Sequence, residues 1–588
     1  MTAGTVARTP PYGIVERRES HSPSSGIAPR ILTCFVLSAS ALGLLSVPIN
    51  VYDDSLFLLG ARLVASGKIP YVDFYSHYGP LGYTILAFLL RLAGDPALAL
   101  RVGEILLLAG MSLLLHLLFR SLHSESPRRE DPVPFLVLAL SGLALYASFF
   151  GFVFAAASVV LFLLALSGRG RAAILLYAGA GVALAAGALI RPAFGAYCGC
   201  ALVLLETVGR RRSDARRPVA VFAVFLGTAA LSALVLWFVL FPEVHASMAF
   251  DATVLAPARL VGGEGTRYLD PEFLVGAGTD RFGLARAIAT GAALVALSMA
   301  WTIAVPGKAT RSLAAVFVVA GGGLPLLPAV SGHPARDAGF VSLSLFALAC
   351  AVTVSARSSL QESRLLRASA TFGLVAAAFG HYFWVRADRQ HLLPMLTLAL
   401  TGAALLFERL RPAGRAALVA LALLTWASAA PSLSFPSALL LNRGLAANLW
   451  PWRCTLVRAD ARMAVAYADG MAQPKSRFVA VGSNQALTSA NPILLFLISS
   501  RLPYTKWFQY DPGVQTSPAV QREMERELEA SGSRSAVVWR TERYLVDSVG
   551  PRPPSRSPFD EFFDRLYPNT AAKFGDYEVR LRAPAPPN

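Results

Sequence analysis

Two adjacent carboxylates, Asp53 and Asp54, follow the first long apolar block of the chain. A carboxylate within hydrogen-bonding distance of a hydroxyl group can take its proton as a general base. Asp53 also lies where a predicted amphipathic helix begins, which runs through Ala65, and an Asp at that position is a good helix cap. The residues alone leave both roles open, a helix cap and a base that faces a cavity.

Basic residues occupy two further positions at the ends of apolar blocks. Arg191 precedes Pro192 between two such blocks, and the segment VRADRQHLLP carries Arg386, Arg389 and His391. An Arg at a membrane edge can extend its guanidinium group into water while its stem stays in apolar surroundings. The second segment could likewise be an ordinary charged hairpin.

The composition predicts that membrane helices position these residues. Apolar residues make up 55% of the 588 and charged residues only 15%, whereas a soluble domain is about a quarter charged. We expect an all-α polytopic membrane protein of about thirteen transmembrane helices, with in-plane helices in the first outer loop and a small C-terminal α/β domain. The predicted spans are 31–49, 98–118, 133–150, 152–167, 172–190, 192–207, 218–241, 283–304, 312–330, 338–355, 368–384, 392–407 and 416–430.

The net charge of +17 reports topology rather than a nucleic-acid partner. If the N-terminus is cytoplasmic, eighteen Lys and Arg residues fall in six short inner loops, among them Arg210, Arg364 and Arg367. The longer outer loops hold about nine, which is the positive-inside pattern. The predicted organisation is a disordered cytoplasmic tail at 1–30, a transmembrane domain at 31–430 with outer loops at 50–97 and 242–282, and a non-cytoplasmic domain at 431–588.

The apolar stretch 80–94 is not counted as a span. It has about fifteen residues, opens with Pro80 and contains Arg91, which suits a helix in the plane of the membrane interface. Counting it would place every later basic loop outside. The five cysteines show neither a metal-binding nor a disulfide pattern, so we predict packing roles for them.

The first outer loop resembles a known family. Its order of Asp53-Asp54, a helix, the motif GKIPYVDF and then YGPL is similar to the start of GT-C glycosyltransferases that use polyprenyl-phosphate sugars, in the bacterial branch related to the aminoarabinose transferase of lipid A and to protein O-mannosyltransferases. The resemblance implies that Asp53 is the catalytic base and Asp54 its partner. It also implies that Asp73 and Tyr78, which lie in these two motifs, belong to the substrate loop.

Two later segments carry the same resemblance. RPAFGAY resembles the segment in which a basic residue meets the lipid phosphate, and here that residue is Arg191. VRADRQHLLP resembles a segment before a helix that begins Tyr-Leu-Leu-Pro, with His391 in place of Tyr. The resemblance therefore implies a phosphate-binding set of Arg191, Arg386, Arg389 and His391, and an Arg fork matches a phosphate group well.

The implied reaction is a single displacement at the anomeric carbon, with inversion, on the outer face of a bacterial inner membrane. The implied partners are a polyprenyl-phosphate sugar, a lipid, glycan or protein acceptor and membrane lipids, without nucleic acid. The sequence identifies no cofactor and leaves a role for a divalent metal open. The alternative is a non-catalytic transporter or flippase for lipids or glycans.

Two outer segments have open roles. The loop 242–282 is longer than a connection requires, so it could cover the active site as a lid or be a solvated loop. After about Pro431 the sequence predicts strands at 477–483, 535–540 and 573–583, and helices at 491–502, 517–531 and 558–567. We expect this domain to contact the acceptor or to serve as a structural cap.

Overall fold

The computed structural model of the protein describes residues 27–46, 53–122, 132–144, 149–168, 170–209, 216–255, 364–385, 389–406, 415, 419, 459–483, 492–509, 515, 517–540 and 556–584. Within these ranges the chain is mostly helical, with a small sheet near its C-terminus. The expected fold class is confirmed to that extent. The predicted domain boundary near 431 lies outside the described residues, so the division into domains stays a prediction.

The helices of the first two thirds of the chain follow the predicted spans and the first outer loop. They are α1 (Ile27–Ser46), α2 (Asp53–Ala65), α3 (Pro80–Ala93), α4 (Pro96–Leu122), α5 (Val133–Leu143), α6 (Phe149–Ser167), α7 (Gly170–Ile190), α8 (Pro192–Gly209), α9 (Arg216–Leu240), α10 (Ala246–Phe250), α11 (Arg364–Val385) and α12 (Arg389–Leu405). Four described segments are long and apolar enough to cross a membrane, namely α4, α6, α7 and Phe222–Leu240 within α9.

The number of spans stays a prediction. The spans predicted at 283–304, 312–330, 338–355 and 416–430 fall outside the described residues, apart from the single residue 419. Shorter apolar helices lie at Ile31–Leu45, Pro192–Glu206 and Leu393–Leu405, where spans were predicted.

One predicted boundary is wrong. The span expected at 133–150 is a helix of 11 residues that ends at Leu143, and α6 already begins at Phe149. Eleven residues of α-helix extend only about 16 Å, which is half the thickness of the hydrocarbon core. The apolar run is continuous in the sequence from Val133 to Leu166 except for small residues, so composition could not locate the break.

The helix at Pro80–Ala93 agrees with the predicted in-plane segment in its bounds and length. Pro80 occupies its first turn, and Gly94 ends it in the left-handed conformation with its N–H bonded to the carbonyl of Leu90. Its 14 residues extend about 21 Å, less than the thickness of the hydrocarbon core. Its Phe88 and Leu92 side chains are exposed, as expected for a helix that meets lipid.

The C-terminal region contains a four-stranded sheet with helices packed on it. Its elements are α13 (Ala459–Gly470), β1 (Ala480–Gly482), α14 (Ile493–Ile498), α15 (Pro518–Glu529), β2 (Ser535–Trp539), α16 (Pro558–Leu566), β3 (Asn569–Phe574) and β4 (Tyr577–Leu581). The strand order is β1-β2-β4-β3, with β1 and β2 parallel and the other pairs antiparallel. The small sheet near the C-terminus is thus confirmed, and the range predicted as one strand at 573–583 contains the end of β3, a turn and β4.

The hydrophobic core of this C-terminal region is continuous with the first loop. Buried residues of α2 and α3 form one cluster with those of the sheet and its helices, for example Leu56 and Phe57 with Phe496 and Phe508. A second cluster joins the long helices of the bundle. We call the end of the bundle that carries α2, α3 and this C-terminal region the first-loop side.

Candidate functional site

The acid pair begins a helix, as the sequence predicted. Asp53 is the first residue of α2, and the side chain of Asp54 is only 2% exposed. An oxygen of the Asp54 carboxylate accepts a hydrogen bond from Arg101 Nη2 at 3.0 Å. Because Arg101 lies near the start of α4, this contact ties the first turn of α2 to the first-loop end of a long apolar helix.

A second carboxylate completes a buried cluster. Arg101 Nη1 donates to both oxygens of Glu104 at 2.9 and 2.8 Å, and neither side chain is more than 2% exposed. We name Asp54, Arg101 and Glu104 the buried ion cluster. Buried charges are tolerated only when they are paired with good geometry, so the cluster fixes where α2 begins and therefore where Asp53 lies.

The sequence reasoning missed two of these three residues. Arg101 and Glu104 lie inside the span predicted at 98–118 and were treated as part of an apolar block. The signal was present, because charged residues inside a membrane helix are costly and mark a partner or a function. Their spacing of three also places both side chains on one face of a helix.

Arg191 lies between α7 and α8 on the first-loop side, and its guanidinium group contacts the first loop. Its Cζ atom is 4.9 Å from the ring centre of Tyr78 and 5.2 Å from that of Phe194. Both distances are typical of cation–π contacts. The backbone N–H of Gly79 also donates to the carbonyl of Ile190 at 2.8 Å. A Cβ atom at Gly79 would lie 1.9 Å from the Leu189 carbonyl oxygen, so only glycine permits this approach.

Aromatic contacts connect Arg191 to the acid pair. The ring of Tyr78 packs edge-on against Phe57 with 4.7 Å between ring centres. Phe57 lies one helical turn after Asp54 on α2, at a spacing of three that shares a helix face with it. The structure therefore brings the acid-bearing turn of α2, Tyr78 and Arg191 to one end of the bundle.

The second predicted phosphate-binding segment is described only in part. Arg386 lies outside the described residues, and of Arg389 and His391 only the backbone is described, at the start of α12. One and a half turns before the end of α11, Phe379 packs against Phe194 with 4.8 Å between ring centres. Because Phe194 contacts Arg191, α11 ends near the same end of the bundle.

The side chain of Asp73 makes its hydrogen bonds within the first loop. Its carboxylate accepts hydrogen bonds from Lys68 Nζ at 2.9 Å and from the N–H of Ile69 at 2.8 Å. Partial burial acts to raise the pKa of Asp73, but the hydrogen bonds from Lys68 and Ile69 outweigh it and hold that pKa below its ordinary value. These contacts stabilise the turn before Tyr78, and a substrate role for Asp73 stays a prediction.

The long outer loop packs on the first loop where it is described. Tyr71 and Tyr75 form a small apolar cluster with Phe241, Val244 and Ala249. The helix α10 continues into a π-helical turn at Asp251–Leu255. The lid role predicted for 242–282 stays a prediction, since 256–282 lies outside the described residues. In the part of the chain that is described, no three His, Cys, Asp or Glu side chains are grouped to hold a metal ion.

The chain is similar to several solved protein structures. No protein-family model matches the sequence, and no curated protein matches it. The chain is similar to ArnT from Cupriavidus metallidurans in the apo state, with 12% identity, a TM-score of 0.40 and coverage of 95% of this chain and 99% of that one. It is also similar to the apo oligosaccharyltransferase of Archaeoglobus fulgidus, with 12% identity, a TM-score of 0.44 and coverage of 86% and 69%.

A third similar structure is the arabinofuranosyltransferase AftD from Mycobacteria, with 13% identity and a TM-score of 0.42. This chain aligns over 94% of its length but covers 41% of AftD. All three are GT-C glycosyltransferases.

Proposed function

We propose that the protein is an integral membrane glycosyltransferase that moves a sugar from a polyprenyl-phosphate donor to an acceptor hydroxyl group. The observation that carries the proposal is the aromatic connection from the acid-bearing turn of α2 through Phe57 and Tyr78 to Arg191. This connection supports the proposal, because the helix turn that begins with Asp53 and a guanidinium group suited to phosphate lie at the same end of the bundle.

The proposed reaction assigns each group one step. Asp53 takes the proton of the acceptor hydroxyl as its oxygen attacks the anomeric carbon. The bond from that carbon to the phosphate oxygen breaks, and the lipid phosphate leaves with the electron pair. Arg191 stabilises the charge that develops on the phosphate. A single displacement inverts the anomeric centre, and Asp54 orients Asp53 through the buried ion cluster.

The proposed location is the inner membrane of a bacterium, with the first-loop side facing outward. The inner loops rich in Arg support this orientation through the positive-inside rule. In agreement, the Arg367–Glu206 ion pair, at the start of α11 and near the end of α8, lies at the end of these helices away from Arg191. The acceptor is a lipid, glycan or protein that is reached from the outer face.

Reconstitution tests the proposal against transport. Proteoliposomes containing the protein receive a polyprenyl-phosphate sugar labelled in the sugar, together with an extract of candidate acceptors. We expect the label to leave the lipid donor and to appear on a product with inverted anomeric configuration. Empty liposomes serve as the control. Movement of intact labelled donor across the bilayer, without any glycosylated product, would instead identify a transporter or flippase.

A further inference from the structure

The C-terminal region touches the loop that carries Tyr78 along one short segment. We call residues 504–509 the docking segment. The N–H of Tyr75 donates to the carbonyl of Lys506 at 2.9 Å, and the rings of Tyr75 and Trp507 lie 5.2 Å apart. One residue further on, Phe508 packs against Phe74 at 5.9 Å. The loop is therefore paired with the docking segment through both backbone and side chains.

The contact continues to the neighbour of Tyr78. The side-chain amide of Gln509 is hydrogen-bonded to Nδ1 of His77. The imidazole ring of His77 lies 4.2 Å from the ring of Tyr78, and the guanidinium group of Arg191 contacts that same ring. Gln509, His77, Tyr78 and Arg191 thus form a continuous series of contacts from the C-terminal region to the predicted phosphate-binding residue.

The docking segment is itself held by helix α15. Trp507 Nε1 donates to Glu523 at 3.1 Å, and Lys506 Nζ pairs with the same carboxylate at 2.7 Å. The hydroxyl group of Thr505 donates to Glu527 at 2.5 Å. The docking segment is therefore held in place by α15. The position of the loop that packs on this segment depends on that contact.

A second attachment starts from the acid-bearing helix. The guanidinium group of Arg62, near the end of α2, donates to the carbonyls of Leu497, Ser499 and Arg501 at 2.8, 2.6 and 3.0 Å. These carbonyls belong to the end of α14 and the turn after it, where helix carbonyls lack partners within the helix. Arg62 satisfies them and so joins α2, which begins at Asp53, to the C-terminal region.

We propose that the C-terminal region is a positioning component of the donor site. Through the docking segment it holds His77 and Tyr78, and with them Arg191, while through Arg62 it holds the helix that carries the acid pair. Its effect on donor binding depends on the function proposed above. The attachment of the loop to the docking segment does not depend on that function. One measurement therefore tests the attachment, and a second tests the effect on donor binding.

The first measurement follows the loop without any donor. The five native cysteines are replaced by alanine, and Ser76, which is fully buried in the loop, is changed to Cys. In this background Trp507→Ala and Arg62→Ala should increase the rate of labelling by a membrane-impermeant maleimide about tenfold, since each loses contacts worth roughly 1 kcal/mol or more. Arg62→Lys, which keeps a donor, should give an intermediate rate.

Arg540→Ala is the matched control. Arg540 is an exposed residue directly after β2 whose partner is Glu578, far along the chain from the docking segment. Its loss should leave the labelling of Cys at position 76 unchanged. Equal labelling of the Trp507→Ala, Arg62→Ala and Arg540→Ala variants would overturn the proposal, whatever the donor assay gives.

The second measurement is a double-mutant cycle on the donor KM. Gln509→Ala should raise the donor KM about three- to tenfold with little change in kcat, as expected for one lost hydrogen bond. Because Gln509 is proposed to act through Arg191, adding Gln509→Ala to Arg191→Ala should raise KM little further. Fully additive effects would overturn the positioning role. Faster labelling in a protein that uses no polyprenyl-phosphate sugar would contradict the proposed function and support the attachment alone.

Discussion

Two ion-paired regions lie at opposite ends of the helical bundle and differ in how deeply they are buried. On the first-loop side, Arg101 is 1% exposed and each of its two carboxylate partners, Asp54 and Glu104, is 2% exposed. At the other end, Arg367 pairs with Glu206 at 2.6 Å, with side chains 20% and 8% exposed. The first region joins a loop helix to α4, and the second joins two long helices, α8 and α11.

The difference in burial indicates different roles for the two ion-paired regions. Removing charges from water is costly, and the cost is recovered only when geometry and hydrogen bonding are very good. In the second pair the Arg367 side chain keeps a fifth of its surface exposed, so its burial costs less than that of Arg101. We therefore interpret the fully buried cluster as the contact that sets the position of Asp53. The Arg367–Glu206 pair holds two long helices together.

The largest effect should follow from breaking the buried ion cluster. Arg101→Leu removes the cation that both carboxylates contact, and the loss of one partner from a buried pair costs roughly 3–5 kcal/mol. We expect a large decrease in the thermal stability of the detergent-solubilised protein, together with lost sugar transfer. The measurement is the temperature at which half of the protein remains monodisperse.

A neutral triple variant provides the control for that prediction. Asp54→Leu, Arg101→Met and Glu104→Met together replace the three charges with apolar side chains of similar size, which is often close to neutral for stability. This variant should recover most of the lost stability. If Arg101→Leu alone were as stable as the parent, the cluster would not fix the start of α2.

A smaller effect is expected at Arg191, which lies on the same side but is only half-buried. Arg191→Ala removes the proposed charge-assisted contact to the donor phosphate, worth roughly 1.5–3 kcal/mol, so donor affinity should fall about ten- to a hundredfold. Arg191→Lys should recover only part, because Lys offers a point charge without a fork. Donor KM and thermal stability are measured together, and an unchanged KM in Arg191→Ala would leave this residue only its packing role.

The smallest effect on sugar transfer should come from the opposite end. Arg367→Ala removes the partner of Glu206, whose side chain is only 8% exposed, so we expect a loss of roughly 1–3 kcal/mol in stability with normal donor KM and turnover. The same assays as for Arg101→Leu and Arg191→Ala apply. A decrease in turnover as large as that of Arg101→Leu would contradict the distinction between the two regions.

The sequence predicts an element best where its start or end is set by residues that are close in the chain. The start of α2 at Asp53, its end at Ala65 and the helix that opens with Pro80 were all predicted, because apolar periodicity and a helix-starting Pro are local signals. The location of Arg191 between two apolar helices was predicted for the same reason. Its contact with Tyr78 was not predicted, because residues 78 and 191 meet only through packing of the bundle.

Local signals were also overlooked in the C-terminal region. The range 573–583, which is predicted as one strand, contains the end of β3, a two-residue turn at Gly575 and Asp576, and β4. Gly575 has a φ angle of 56°. A Gly-Asp pair between apolar runs is a hairpin signal that the prediction did not use. The docking of this region onto the first loop involves residues more than 400 positions apart, for instance Arg62 and Leu497, and no local pattern encodes it.

Turnover of two neighbouring variants tests the central assignment most directly. Asp53→Asn keeps the shape of the side chain but removes its basicity, so with saturating donor it should lose about a hundred- to ten-thousandfold in kcat while inserting into membranes normally. Asp54→Asn should lose less, since an amide oxygen can still accept from Arg101. Near-normal kcat in Asp53→Asn would match a helix cap, for which Asn is as good as Asp, and would contradict its role as the base.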